Sequence, residues 1–358
     1  MQIVKVDLAD RSYNVFIDAG ILGNDHPAFD ISDGSTALIV SNEKVAPLYL
    51  DLLFNSLIGM DVHTLILPDG ESYKTMEHWS QIIDKLVEIR ATRDATIFTL
   101  GGGVIGDMGG FAAASYMRGI RFIQIPTSLL AQVDASVGGK TGFNHPQGKN
   151  LVGSFHQPSA VLIDIDTLAT LPGREFSAGL AEVVKIAAVR DAEFLGWLED
   201  HAAAIMTRDP VAITQMIKRS IANKADIVAE DERESGVRAL LNFGHSFAHA
   251  LETLTDYRQF LHGEAVAIGM MVASRLSELR GLCKPGFSVR LGELLSSFGL
   301  PLNLPRSLDP GDILETMKLD KKVIAGSARL ILVQSAGHGL IDSSSDKLQI
   351  TAAIKATQ

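Results

Sequence analysis

The chain has a single cysteine, Cys283, among 358 residues. No internal disulfide can form, and no thiolate cage can hold a metal, so any metal ligands must be histidines and carboxylates. Basic residues are scarce as well: 32 Lys and Arg stand against 42 Asp and Glu, a formal net charge of −10. With no basic stripe to offset phosphate repulsion, the composition argues against a nucleic-acid partner. Long apolar runs are missing. The most apolar helix-like stretch, Ala265 to Leu276, follows Glu264, is interrupted by Arg275 and is too short to span a bilayer. The first residues, MQIVKVDLADRSYNVFID, alternate apolar and polar positions and lack the basic-then-apolar order of an export signal. The expectation is a cytoplasmic protein with no membrane attachment.

A chain of this length exceeds what one hydrophobic core usually organises, so two domains are expected. The first half alternates strand-like and helix-like segments: VKVDL, YNVFID, TALIVS, a helix near Lys44 to Leu57, HTLILP, a helix near Lys74 to Arg90, then ATIFTL. AVLIDID, Ala160 to Asp166, reads as a further buried strand. Such alternation predicts a mostly parallel, Rossmann-like sheet with covering helices. After LATLPGREF nearly every segment has helical periodicity, with Gly and Pro as stops. Pro172 and Gly173 mark the boundary, giving an α/β domain over 1–172 and an all-α domain over 173–358. Only ARLILVQ and its neighbour near Leu340 hint at a small hairpin.

Three stretches carry candidate chemistry. ATIFTL runs into GGGVIGDMGGF, where Gly101, Gly103 and Gly106 satisfy G-x-G-x-x-G between a strand and a helix. Such a turn brings backbone N–H groups and a helix N-terminus up to a pyrophosphate. The next strand, RFIQIP, lacks the acidic residue of the standard dinucleotide fingerprint, so ribose contacts must come from elsewhere, with Asn42, Glu71 and Lys74 as candidates. The second stretch, IPTSLLAQVDASVGGKTGFNHPQGKNLVGSF, holds Asp134, Lys140, Lys149 and Asn150 with little periodicity in its second part. It reads as a long polar loop with lysines suited to anionic oxygens, or as a merely solvated one.

The third stretch, Asn242 to Glu264, sets His245, His249 and His262 beside Glu252 and Glu264. His245 and His249, four apart on an apolar-periodic run, leave one helix face a turn apart, which is a usable ligand spacing. Neutral imidazoles with a carboxylate suit zinc or a neighbouring metal and leave a side open to substrate. An isolated i, i+4 histidine pair is also a common core or surface feature. Upstream, Glu182 and Lys185 share a face of an apolar helix, where a buried carboxylate needs a cation; an intrahelical ion pair satisfies that as well as a metal does.

In order along the chain, GGGVIGDMGGF, PTSLLAQVDASVGGKTGFNHPQGKN, LPGREFSAGLAEVVK, NFGHSFAHALE and LHGEAVA resemble the 3-dehydroquinate synthase family, over essentially everything from DGESYK to LDKK. The resemblance implies NAD in the N-terminal domain, a divalent metal (usually zinc, with cobalt a further option) in the helical domain, and an active site between them. The implied reaction converts 3-deoxy-arabino-heptulosonate 7-phosphate to 3-dehydroquinate and phosphate, with NAD used and regenerated in each turnover.

Carried over by motif, the metal ligands are Glu182, His245 and His262, which displaces His249 from the ligand pair to the substrate side. Implied NAD contacts are Asp69, Gly70, Glu71, Ser72, Tyr73 and Lys74, then Gly103, Val104, Ile105, Gly106 and Asp107, then Thr127 and Ser128. Thr167, Leu168, Ala169 and Thr170 complete them, with Lys140 and Lys149 between cofactor and substrate. The implied substrate pocket holds Asp134, Lys140, Asn150, Lys185, Lys224, Arg238, Asn242, His249 and Lys322. Arg118 would reach a partner subunit's site, which implies a homodimer. One departure is visible: Ala248 stands where the family motif has glycine. Rival readings are another sugar phosphate cyclase, a metal-dependent polyol dehydrogenase that would accumulate NADH, and a non-catalytic NAD or metal sensor.

Overall fold

The computed structural model describes the chain apart from residues 25, 27, 29–33, 319–322 and 325–326, and apart from the side chains of 318, 323, 324, 327 and 328. By their internal contacts the residues group into two compact units, Met1–Leu171 with Ile213–Ala229, and Pro172–Ala212 with Glu230–Gln358.

The first unit is built on a seven-stranded sheet of β1 (Gln2–Val6), β2 (Tyr13–Asp18), β3 (Thr36–Asn42), β4 (Asp61–Leu67), β5 (Thr96–Gly101), β6 (Arg121–Pro126) and β9 (Ala160–Asp164), in the order β1-β2-β9-β6-β5-β3-β4. Only the β1–β2 pair is antiparallel. β5 and β9 are buried along their whole length, and β3 nearly so. That is why these strands read as continuous apolar runs: helices cover both faces of a parallel sheet. On one face, α2 (Met76–Glu88) and α3 (Gly103–Ser115) supply Ile82, Leu86, Met108 and Ala112 against Leu38, Ile97 and Phe122. On the other, α1 (Ala46–Ser56) brings Leu53 down on Ile39, Phe98 and Leu162. The chain leaves β3 for β4 on one side and returns to β5 on the other, so a topological switch point lies at the carboxyl ends of β3 and β5. Open α/β sheets bind ligands at such a crevice.

The stretch expected to be a long loop departs from that expectation. It forms a π-helical turn, Ala131–Ala135, then an antiparallel hairpin of β7 (Lys140–His145) and β8 (Gly148–Phe155). Its strands approach backbone to backbone. A Cβ on Gly153 would fall 2.0 Å from the Thr141 carbonyl oxygen, and one on Gly142 2.3 Å from that of Val152. Glycines at the facing positions remove the side-chain alternation by which a strand is recognised.

In the second unit, helices α4 (Gly173–Arg190), α5 (Ala192–Met206), α7 (His245–Leu254), α8 (His262–Leu279), α9 (Phe287–Ser297), α10 (Pro310–Lys318) and α11 (Lys347–Thr357) dominate. The helix between α5 and α7, α6 (Pro210–Glu230), contributes its residues 213–229 to the first unit. The second unit is helical but not purely so: β12 (Leu330–Ser335) pairs with β13 (His338–Asp342), the hairpin hinted at by ARLILVQ, and β10 (Val323–Ile324) pairs with β11 (Ser327–Ala328). No helix among the described residues is long and apolar enough to cross a membrane.

Candidate metal centre and nucleotide-binding turn

Thirteen residues of α4 are buried, among them Glu182 and Lys185, each 2% exposed. His245 and His262 are the first residues of α7 and α8. Glycines let these helix starts come down on their neighbours. A Cβ on Gly263 would lie 1.9 Å from the Ala178 carbonyl oxygen, so α8 begins directly on the backbone of α4. A Cβ on Gly269 would lie 2.1 Å from the carbonyl oxygen of Gly244, which itself holds φ +80° just before His245. These contacts bring both imidazoles to one carboxylate. Glu182 Oε1 is 3.5 Å from His245 Nε2 and 3.6 Å from His262 Nε2.

One donor atom from each of Glu182, His245 and His262 lies within 4.8 Å of the others, an arrangement able to hold a metal ion. Neither oxygen of Glu182 accepts a hydrogen bond, although the Lys185 ammonium forms an ion pair with Oε2. A buried carboxylate with Oε1 facing two imidazole nitrogens while Lys185 neutralises only Oε2 fits a divalent cation. The far nitrogens of both rings are held as metal-binding histidines require. His262 Nδ1 is 3.1 Å from Glu252 Oε1 and His245 Nδ1 is 3.3 Å from the Phe243 carbonyl oxygen. Each partner accepts, so Nδ1 carries the proton and Nε2 keeps its lone pair for the metal.

His249 is not in this donor set, which corrects the spacing argument that paired it with His245. Its ring centroid is 5.6 Å from that of His245 and 6.3 Å from that of His262. Glu264 is outside this donor set too. It takes a two-pronged contact from Arg174, 2.7 Å at each oxygen, and accepts from the Leu261 N–H, which fixes the first turn of α8. Burial raises its pKa, but Arg174 and that N–H outweigh burial and hold it below the ordinary glutamate value.

Before α7, the Asp231 carboxylate accepts from the N–H groups of Ser235, Gly236 and Arg238. Burial opposes its charge, but the three N–H groups and the Ser235 hydroxyl outweigh burial and lower its pKa to about 2. The 3₁₀ turn Val237–Asn242 starts from this knot. Arg238, 2% exposed, donates to the Glu232 carbonyl oxygen, and Asn242 Nδ2 donates to Glu234 Oε1 at 2.6 Å.

In the first unit, Gly102 caps α3 and Gly103 opens it, just after β5, so the N–H groups of residues 103–105 have no intrahelical acceptors. Gly101, Gly102, Gly103, Gly106 and Asp107 line a pocket there with Ser136. Helix–sheet contact falls to Gly109 rather than the third motif glycine: a Cβ on Gly109 would meet Thr99 Cγ2 at 2.3 Å. At the end of β3, Asn42 donates to Asp69 Oδ1 at 2.7 Å and accepts from the Lys44 and Val45 N–H groups. Its amide therefore anchors the 69–74 loop.

Lys74, 4% exposed, donates to Asp107 Oδ2 at 2.5 Å and to Asn150 Oδ1 at 2.6 Å. Burial disfavours its ammonium, but Asp107 and then Glu71 outweigh burial, and its pKa lies above the ordinary lysine value. Thr127 is bound through its N–H to the Gly101 carbonyl oxygen, and Ser128 Oγ stands 3.4 Å from where a Cβ on Gly102 would be. In the turn Ile165–Thr170 the side chains of Thr167 and Leu168 are buried, while Ala169 and Thr170 are exposed. Lys224, from α6, donates to the Asp134 carboxylate and carbonyl oxygen, each at 2.5 Å. Lys140 and Asn150 are exposed and Lys149 is half-buried. Arg118 is exposed at the tip of a left-handed triplet, Met117 (φ +47°), Arg118 (φ +69°) and Gly119 (φ +125°).

Lys322 lies outside the described residues. Glu252 and Glu234 escaped assignment from sequence. Glu252 shares the His245–His249 helix face at i+7 and i+3, a signal that was available; the Glu234–Asn242 contact has no periodic signature. Asn144, which binds the 69–74 loop, gave no signal.

Two family models cover most of the chain, 3-dehydroquinate synthase N-terminal over residues 64–178 and 3-dehydroquinate synthase C-terminal over 179–323. The 3-dehydroquinate synthase of Saccharophagus degradans is 48% identical over 358 residues, covering 100% of this chain and 99% of the relative. That of Pseudomonas putida is 50% identical over 356 residues, 99% and 98% of the two chains. Among solved structures, 2-epi-5-epi-valiolone synthase from Streptomyces hygroscopicus subsp. jinggangensis, with NAD⁺ and Zn²⁺ bound, matches at TM-score 0.90 and 31% identity over 98% of each chain. A 2-deoxy-scyllo-inosose synthase complexed with carbaglucose-6-phosphate, NAD⁺ and Co²⁺ matches at TM-score 0.88 and 25% identity over 100% of each. With both halves matched by one family and its members half identical along their whole length, the chain belongs to the 3-dehydroquinate synthase family.

Proposed function

We propose that the chain is an NAD- and divalent-metal-dependent carbon–oxygen lyase. It converts 3-deoxy-D-arabino-heptulosonate 7-phosphate to 3-dehydroquinate and phosphate, a step of the shikimate route to aromatic amino acids. The observation that carries this reading is the buried Glu182 carboxylate with two facing imidazoles whose far nitrogens are both held. Full-length relatives named for this activity support it. In this reading residues 1–172 bind NAD and residues 173–358 bind metal and substrate.

When bound, the metal supplies Lewis-acid polarisation of a substrate hydroxyl and NAD supplies a hydride acceptor. Glu182, His245 and His262 would hold the metal, which would polarise a substrate oxygen brought to it. The 69–74 loop with Asn42, the N–H groups at 103–107, Thr127, Ser128 and the turn 167–170 hold NAD, with Lys149 at its substrate end. Lys140, Asn150, His249 and Lys322 meet the phosphate, where positive charge and hydrogen-bond donors offset the negative charge that grows as it leaves. Asp134, Lys185, Lys224, Arg238 and Asn242 fix the remaining oxygens, so that a single conformer is presented for ring closure.

We propose further that the enzyme is a cytoplasmic homodimer in which Arg118 serves the partner's site. Left-handed φ at two successive non-glycine residues is strained and is retained where a side chain must be held in place, which supports this role for the exposed Arg118.

A second reading, another sugar phosphate cyclase, draws on the two solved cyclases that share the fold along its whole length. Supplying metal-stripped protein with zinc, NAD and one sugar phosphate at a time separates the two. The proposal expects turnover of the heptulosonate phosphate to 3-dehydroquinate with equimolar phosphate. Turnover of sedoheptulose 7-phosphate or glucose 6-phosphate in its place would overturn it.

A further inference from the structure

The hairpin of β7 and β8 and the loop 69–74 are joined by a residue with no role in the reading above. Asn144, in β7, spends its backbone and both ends of its side chain on this junction. Its N–H donates to the Lys74 carbonyl oxygen at 2.8 Å, and its Nδ2 donates to Glu71 Oε1 at 2.7 Å. Its Oδ1 accepts from the Asn150 N–H at 2.9 Å. Thr75 and Asn144 also form an isolated parallel bridge.

Asn150 has a left-handed conformation, φ +51°, a region uncommon for residues with a Cβ but one that asparagine adopts more readily than most. Two contacts hold it here: Asn144 takes its N–H, and Lys74 Nζ donates to its side-chain oxygen. Lys74 is in turn fixed by Asp107 at the start of α3. Asn144, Asn150 and Lys74 thus close one circuit of hydrogen bonds, to which Glu71 is attached through Asn144 and Asp107 through Lys74. In such a circuit a shift at one member is felt by the rest.

We propose that Asn144 is a positioning residue that clasps the cofactor loop to Asn150, so that NAD binding against Glu71–Lys74 sets the side chain that meets the substrate's phosphate. This rests on the reading of Glu71–Lys74 as an NAD contact and of Asn150 as a substrate contact.

The test is a donor–acceptor swap. N144D keeps an acceptor for the Asn150 N–H but sets a carboxylate against Glu71. N144D/E71Q restores a donor across the same gap, now supplied by the new amide on the loop side. Wild type, N144D, E71Q and the double variant are compared for NAD dissociation constant, for kcat and KM with the heptulosonate phosphate, and for zinc content.

N144D is expected to weaken NAD about tenfold, ~1.4 kcal/mol, and to lower kcat, with zinc content unchanged. The double variant is expected to bind NAD at least about fivefold more tightly than the two single effects multiplied would give, and to recover kcat in step. An N144D enzyme with NAD affinity and kcat within twofold of wild type overturns the clasp. So does a double variant whose losses simply multiply, since a merely structural lesion would not be repaired by exchanging donor and acceptor. If E71Q and a Lys74→Ala variant both bind NAD as wild type does, the assignment of the loop fails, and the clasp with it.

Discussion

Glu182 is 2% exposed and neither of its oxygens accepts a hydrogen bond, and a carboxylate so buried calls for a cation. Lys185 answers only one oxygen. Changing Glu182 to Gln or His262 to Ala is therefore expected to abolish zinc retention after dialysis and turnover with it; full activity after metal stripping and zinc readdition would contradict the ligand set. Glu252 acts one step away. Its contact with His262 Nδ1 fixes the ring, so E252Q should weaken zinc about 10- to 100-fold in a chelator competition, and with cobalt in place of zinc the visible spectrum should change. Lys140 is exposed at the start of β7, outside the packed core. K140A should leave the melting temperature in place and lower kcat about 100- to 1000-fold. A loss below about tenfold, ~1.4 kcal/mol of barrier, would remove Lys140 from the phosphate site.

The start of α8 shows why histidine spacing alone misleads. His245 and His249 share a helix face, yet the cluster able to hold a metal takes in His262, because Gly263 lets α8 rest on the α4 backbone at Ala178. Sequence periodicity registers a helix face; it does not register which helices touch. Glu182 stayed ambiguous for the same reason, since the Lys185 ion pair on its own helix is real and coexists with the two imidazoles. By contrast, the alternating strands and helices of the first unit and its glycine turn were legible, because both faces of a parallel sheet are covered and the apolar runs are unbroken. The hairpin β7–β8 was not legible, since Gly142 and Gly153 meet backbone to backbone where alternating side chains would have marked strands.

G263A must force α8 off α4, costing about 1–3 kcal/mol or more, and should lower both the melting temperature and zinc affinity. A variant that keeps wild-type zinc affinity would contradict the close contact. The turn after α6 gives a pH signature. Asp231 has a folded pKa of about 2, below the ordinary 3.8, so its contribution is complete above about pH 4 and is lost as pH falls through 2. D231N should flatten the acid dependence of stability in that window and loosen hydrogen exchange across residues 237–242.

As an assembled enzyme the chain is expected to sediment at twice its 38.5 kDa mass. Mixed dimers of R118A and K140A subunits should recover activity that neither homodimer has, if Arg118 acts in the partner's site; no recovery would remove that role. The fold is shared with cyclases that make other products, so the reaction must be read from its bookkeeping rather than from the architecture. The central claim is that oxidation by NAD is temporary. The most direct test supplies zinc-loaded protein with NAD at a small fraction of the heptulosonate phosphate and follows phosphate release and absorbance at the NADH band together. The account predicts phosphate equal to substrate consumed, many times the NAD present, with no lasting NADH. Phosphate release that stops at the NAD supply, or NADH that accumulates with turnover, would contradict it.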